Sequence, residues 1–165
     1  QALTECRNVR FDTNKIYGIS TTLNIPDNIT IDLCSSTIKN ITEAPFIMLQ
    51  IEDVENVIIK NGKLHNVWLQ GSESGNFIVE ISSSQHITLD NLYFTECKSD
   101  AVYIGYKFCY AGADKFRTAF ITVRNCHIDG VGRNGICFLC SLLNKPSNSS
   151  FFFNSSFCFF NLSLL

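Results

Sequence analysis

No stretch of this chain carries a sustained helical period, and no run is long and apolar enough to make a good membrane span of about 20 residues. Helical bundles and helical membrane proteins are therefore not expected. Charge is sparse too: 17% of the 165 residues are charged, the formal net charge is −2, and there is neither a basic stripe nor an acidic tail. With nothing to track a phosphate backbone, nucleic acid is not an expected partner. The chain opens at Gln1 and shows no basic, then apolar, then small-residue signal segment, so the residues themselves assign no compartment. Cys137-Phe-Leu-Cys140 has metal-type spacing but lacks the second pair that would close a tetrahedral site, and no metal is assigned to it.

What the chain does have is repetition. Val57-Ile-Ile-Lys-Asn61-Gly-Lys-Leu64, Ile87-Thr-Leu-Asp-Asn91-Leu-Tyr-Phe94 and Ile121-Thr-Val-Arg-Asn125-Cys-His-Ile128 share one phrase, apolar-x-apolar-x-Asn-x-x-apolar, at intervals of 30 and 34 residues. Self-similarity at a period of roughly 20 to 50 residues marks a repeat architecture. Within each copy apolar and polar residues alternate, the two-residue period of a strand with one buried face. A second strand follows in register, because Asp100-Ala-Val-Tyr-Ile104 and Asn134-Gly-Ile-Cys-Phe138 each begin nine residues after their Asn. Asn76-Phe-Ile-Val-Glu-Ile81 and Pro45-Phe-Ile-Met-Leu-Gln50 are looser counterparts. Ile29-Thr-Ile-Asp-Leu33 is a degenerate earlier copy, with Leu33 where the others have Asn.

A coil of this length, with short strands between polar turns, fits an all-β, parallel β-solenoid of about four coils in which each strand pairs with its equivalent one coil on. A β-sandwich would need hairpin turns instead of one phrase repeated in one direction. The coils occupy residues 25–139, residues 1–24 form an N-terminal cap or lead-in, and 140–165 form a non-repeating tail. In the lead-in, Ala2-Leu-Thr-Glu-Cys-Arg7 reads as the end of a short helix ahead of a strand at Asn14–Ile19. The recurring Asn suits a tight corner, where its amide can bond backbone, accept a left-handed conformation and stack on the next coil's Asn.

Eight cysteines do not repeat with the coils, which suits small buried hydrophobes better than staples. Five Asn-x-Ser/Thr triplets occur, at Asn28, Asn40, Asn148, Asn154 and Asn161, and they matter only in a eukaryotic secreted protein. After Leu139 the composition changes to Phe, Ser, Asn and Leu, with Lys145 the only charge. Three readings of this tail are open: translation out of frame after a lesion in a longer solenoid gene, a cap folded over the last coil, or a membrane contact.

Ile25-Pro-Asp-Asn-Ile-Thr-Ile-Asp-Leu33, Cys97-Lys-Ser-Asp-Ala-Val-Tyr-Ile-Gly105 and Asn125-Cys-His-Ile-Asp-Gly-Val-Gly-Arg-Asn-Gly-Ile136 resemble the right-handed parallel β-helix proteins of the pectate lyase and polygalacturonase superfamily, phage tailspike-like proteins included. The resemblance covers residues 12–139 and implies an extracellular or virion-associated protein with a polysaccharide ligand. Its polygalacturonase branch implies an Asn-Thr-Asp motif, a paired Asp, a Gly-His-Gly and an Arg-x-Lys. Lys98-Ser99-Asp100 keeps only one Asp of these, and Arg133-Asn134 stands where the carboxylate pair is implied. Inverting hydrolysis needs two carboxyl groups facing each other across the bond, so the catalytic set is incomplete.

A lyase would instead use acidic calcium ligands and an Arg or Lys base, for which Asp100, Asp114, Asp129, Arg124 and Arg133 are the groups at hand. No other cofactor is expected. Asp100 is the candidate catalytic residue, and Asp129, Arg133, His127 and Tyr103 are candidates for substrate contact. Trp68, Tyr103, Tyr106 and Tyr110 offer rings for sugar stacking, while His127 should face outward or lie at a corner. Two functions follow from these readings: a carbohydrate-active or polysaccharide-binding β-helix protein, or a non-catalytic adhesin or tail-spike module, for which a homotrimer is expected.

Overall fold

The computed structural model describes residues 7–67, 76–105 and 118–138, together with the backbone of 161–163. Trp68, Tyr106, Tyr110, Asp114, the helix-like start and most of the Phe-rich tail lie outside the described residues. Among the described residues there is no helix, and every strand pairing is parallel. The chain is a parallel β-solenoid.

Among the described residues thirteen strands make it: β1 (Asn8–Arg10), β2 (Ile16–Ile19), β3 (Leu23–Asn24), β4 (Ile29–Asn40), β5 (Leu49–Glu52), β6 (Glu55–His65), β7 (Val79–Ser82), β8 (Gln85–Cys97), β9 (Val102–Gly105), β10 (Ala119–Arg124), β11 (His127–Val131), β12 (Ile136–Phe138) and β13 (Asn161–Ser163). One sheet runs β1-β4-β6-β8-β10-β13, with β2 beside β4 and β11 beside β8. The other runs β12-β9-β7-β5-β3. Each long strand has two arms. The first arms and their equivalents carry one outer face, the second arms (Ser36–Asn40, Gly62–His65, Leu92–Cys97 and β11) carry a second, and the smaller sheet carries a third.

The asparagine phrase marks the bend between arms. Asn61, Asn91 and Asn125 all adopt positive φ, 59°, 52° and 54°, a region that Asn enters more readily than most residues. Inward residues then stack in columns, Ile29 on Val57, Ile87 and Ile121, and Ile31 on Ile59, Leu89 and Val123. Branched aliphatic side chains fill a pleated surface well, and repeating them in register builds a continuous core. The copy at β4 is irregular. Three residues, Leu33, Cys34 and Ser35, stand opposite Asn61; Leu33 turns into the core with no exposed surface, and Cys34 and Ser35 take the positive φ.

Residues 8–24 carry β1, β2 and β3, each paired with its counterpart in the following coil. At the other end β13, from the compositionally distinct tail, lies parallel on β10. No helix among the described residues is long and apolar enough to cross a membrane.

Candidate functional site

The first face is dominated by one lateral position. Arg10, Asp32, Lys60, Asp90 and Arg124 lie opposite one another on β1, β4, β6, β8 and β10, so charge alternates strictly along the stack. Lys60 Nζ is 3.8 Å from Asp32, and Arg124 donates to Asp90 at 2.8 Å. The asparagines join this ladder from the next position. Asn91 donates to Asn61 at 3.0 Å, Asn61 to Asp32 at 3.1 Å, and Asn125 to Asp90 at 2.9 Å instead of continuing onto Asn91. The Asn125 amide, opposed by partial desolvation and aided by Arg124 and Lys60, holds the Asp90 carboxyl below the usual range. At Asp32 desolvation pushes upward, but the Asn61 amide, the Cys34 backbone and thiol and the Lys60 charge more than offset it.

The second face displays a different set. Thr37, Lys63, Tyr93 and His127 follow one another across β4, β6, β8 and β11, and Lys39, His65, Thr95 and Asp129 form the adjacent row. The Lys63 ammonium lies 4.8 Å from the Tyr93 ring centroid, a cation–π contact, and His127 packs on the same ring at 4.7 Å with the planes at 69°. The Tyr93 hydroxyl is 3.4 Å from Asp129, and desolvation plus that carboxylate raise its pKa. His65 Nδ1 is 2.8 Å from the Thr95 hydroxyl, and burial, Lys39 and Lys63 all depress its pKa, with Glu96 opposing them.

Of the residues expected to form the site, Asp100 and Arg133 meet, whereas His127, Asp129 and Tyr103 lie apart from them. His127 and Asp129 are exposed on the second face, as the alternation at β11 implies. Tyr103 sits on the third face, stacked on Phe77 with centroids 4.4 Å apart and planes within 8°. Asp100 has no exposed surface at all. It lies in the corner before β9, where its Oδ1 accepts from the Asn134 backbone at 3.0 Å and side chain at 2.9 Å, while Oδ2 faces Arg133 at 3.5 Å. Arg133-Asn134, the pair standing where two carboxylates were implied, thus closes over the one matching Asp. A saccharide would reach Asp100 only after that corner opened.

Asp114, one of the acidic groups a lyase would use for calcium, lies outside the described residues. Among the described residues no three His, Cys, Asp or Glu side chains converge closely enough to hold a metal ion, and Asp100 and Asp129 lie on different parts of the coil. Cys97 and Cys126 are buried, and burial pushes the Cys97 thiol up to about 11 and raises Cys126 as well. Such thiols stay protonated and behave as small hydrophobes. Asn40 is buried too, its amide donating to Asn66 at 2.8 Å and to the Ala44 carbonyl at 2.9 Å, so the folded chain closes that triplet, whereas Asn28 is exposed.

The inward Asn40–Asn66 pair and the Lys63–Tyr93–His127 row escaped the sequence reading. Both were present as residues spaced by one coil, 26 apart for the first and 30 and 34 for the second. The class the geometry defines is a parallel β-solenoid with one charge-paired face and one face bearing an aromatic, imidazole and ammonium row. Comparison with protein families, curated proteins and solved structures finds no match for this chain.

Proposed function

We propose that the chain is a polysaccharide-binding β-solenoid, of pectate lyase and polygalacturonase-like ancestry, whose ligand lies along the second face. The observation that supports this most is the Lys63–Tyr93–His127 row with Asp129 beside it. Coils repeat every ~4.8 Å, so groups in such a row meet an extended ligand at regular steps. A partly exposed ring suits the apolar face of a pyranose, and flanking donors and acceptors suit its hydroxyls.

Binding without cleavage is the form of the proposal. Inverting hydrolysis needs two carboxyl groups about 6.5–9.5 Å apart across the bond, and Asp100 is enclosed while Asp129 is engaged by Tyr93. The test is retardation of the purified chain in gels containing neutral, uronic and sulfated polysaccharides. At least one should retard it, and Tyr93→Ala should weaken that retention about tenfold, near 1.4 kcal/mol. No retention by any glycan, or retention untouched by Tyr93→Ala and lost in Tyr103→Ala, would overturn the assignment to this face.

A second reading, a non-catalytic adhesin or spike module, is favoured by the first face, where charges are spent on neighbours within the molecule. A trimer in sedimentation velocity, with no glycan retained, would establish it over the first.

A further inference from the structure

Lys39, Lys63 and His65 occupy adjoining positions of the second face. Lys39 lies directly opposite His65 on the neighbouring strand, about 4.8 Å away along the stack, and Lys63 lies two residues before His65 on the same face of β6. Both lysines act on the imidazole electrostatically, so the three groups share one patch. Among the described residues neither ammonium is within ion-pair reach of a carboxylate, in contrast to Lys60 and Arg124 on the first face. Glu96 of β8 is the acidic group that also bears on His65.

We propose that Lys39, Lys63 and His65 form a subsite for a tetrahedral oxyanion, a sulfate or phosphate ester carried by the ligand of this face. This rests on the reading of the second face as a polysaccharide surface. A planar carboxylate is matched best by the rigid fork of an arginine, and the patch contains none. Two ammonium groups on flexible stems and one imidazole are point donors, each able to take a separate oxygen of a tetrahedral group. His65 is prepared for this. The Thr95 hydroxyl engages Nδ1 at 2.8 Å, and in the tautomer where it donates there, the proton of the neutral ring sits on Nε2, where a ligand oxygen can accept it. Burial depresses the His65 pKa most and the two lysines add to it, so an anion between them would offset the lysine part and couple its binding to protonation of His65.

The experiment follows the His65 imidazole resonances by NMR through a pH titration, alone, with inorganic sulfate or phosphate, and with an oligosaccharide in sulfated and unsulfated forms. The expected result is a rise of the His65 pKa with either ion and with the sulfated sugar. The affinity should fall at least about tenfold in Lys39→Gln and Lys63→Gln and stay unchanged in Lys15→Gln. No rise with any anion, or a rise that persists in the double Lys39→Gln, Lys63→Gln variant, overturns the subsite. Equal or tighter binding of an unsulfated polyuronate overturns the ester assignment and leaves the polysaccharide reading standing. A response to inorganic sulfate with no polysaccharide bound keeps the subsite and removes the polysaccharide reading.

Discussion

Arg10, Asp32, Lys60, Asp90 and Arg124 form a column in which each interior charge has opposite charges on both sides. Single exposed ion pairs contribute about 0–1 kcal/mol, and a network at fixed strand spacing sits toward the upper part of that range. Lys60→Glu would place three carboxylates in a row. We expect it to lower stability by about 1–2 kcal/mol in low salt and by less in 1 M salt, measured by urea denaturation. The two lowered carboxyl pKa values fix a pH dependence. Asp32 and Asp90 bind protons less readily folded than unfolded, so their contribution is complete above the unfolded value near 3.8 and is lost as pH falls through the folded values. Melting temperatures should therefore fall more steeply with acid below about pH 4 in the native chain than in an Asp32→Asn, Asp90→Asn variant.

Asp100 belongs at the same scale. Its carboxylate is buried against Asn134 and Arg133, and removing one partner of a buried pair costs about 3–5 kcal/mol because the other is left uncompensated. Arg133 is exposed and can turn to water, so the lower end applies. Asp100→Ala should destabilise the chain by about 3 kcal/mol in denaturant unfolding while leaving any glycan retention by the second face intact. Loss of retention in a variant that melts normally would contradict this structural role. The sequence identified Asp100 by type and by its place in the repeat, yet enclosure depends on which groups the following coil brings over it. Arg133-Asn134 supplies those groups from 34 residues downstream, which the motif comparison treated as a missing carboxylate pair.

At the scale of the element, the bend between arms rests on left-handed residues. The same device recurs at the start of the first arm, where Asn28, Asn56, His86 and Phe120 all have φ between 55° and 57° and stack in one column. Asn56 donates to Asn28 at 3.0 Å, and His86 lies on Phe120 with centroids 4.7 Å apart and planes within 2°. The repeated phrase made the Asn61–Asn91–Asn125 corner legible, because one residue type marks it. The second corner was not legible, since two amides, an imidazole and a phenyl ring share planarity and backbone conformation but no common letter. Asn91→Ala should cost about 1–2 kcal/mol in left-handed strain plus the ladder bond, and Asn91→Gly should recover the strain part in the same unfolding assay. Gly62 has a different constraint. A Cβ there would overlap the Leu33 side chain and come within 2.8 Å of the Ser36 carbonyl, so Gly62→Ala is expected to destabilise through the β4 bulge.

At the scale of the whole molecule, the direction of the repeat dictated parallel stacking, and the alternation of apolar residues dictated which side chains form the core. Those two facts were enough for the architecture. Function is less legible because it depends on lateral neighbours from different coils: the sequence marks His127 and Asp129 as site candidates, but Lys63 and Tyr93 only as repeat positions and His65, just past the phrase, not at all. Tyr103 lies on another face, opposite Glu80 across the strands, and stacks on Phe77 three residues before Glu80 in the looser copy at Asn76–Ile81.

The proposed ligand surface is the second face, and chemical-shift mapping with a retained oligosaccharide tests that most directly. Shifts confined to Lys39, Lys63, His65, Tyr93, Thr95, His127 and Asp129, with the Arg10–Arg124 ladder and the third face unmoved, are the predicted result. Shifts centred on Tyr103, Phe77 and Glu80, or on the Asp100 corner, would contradict it.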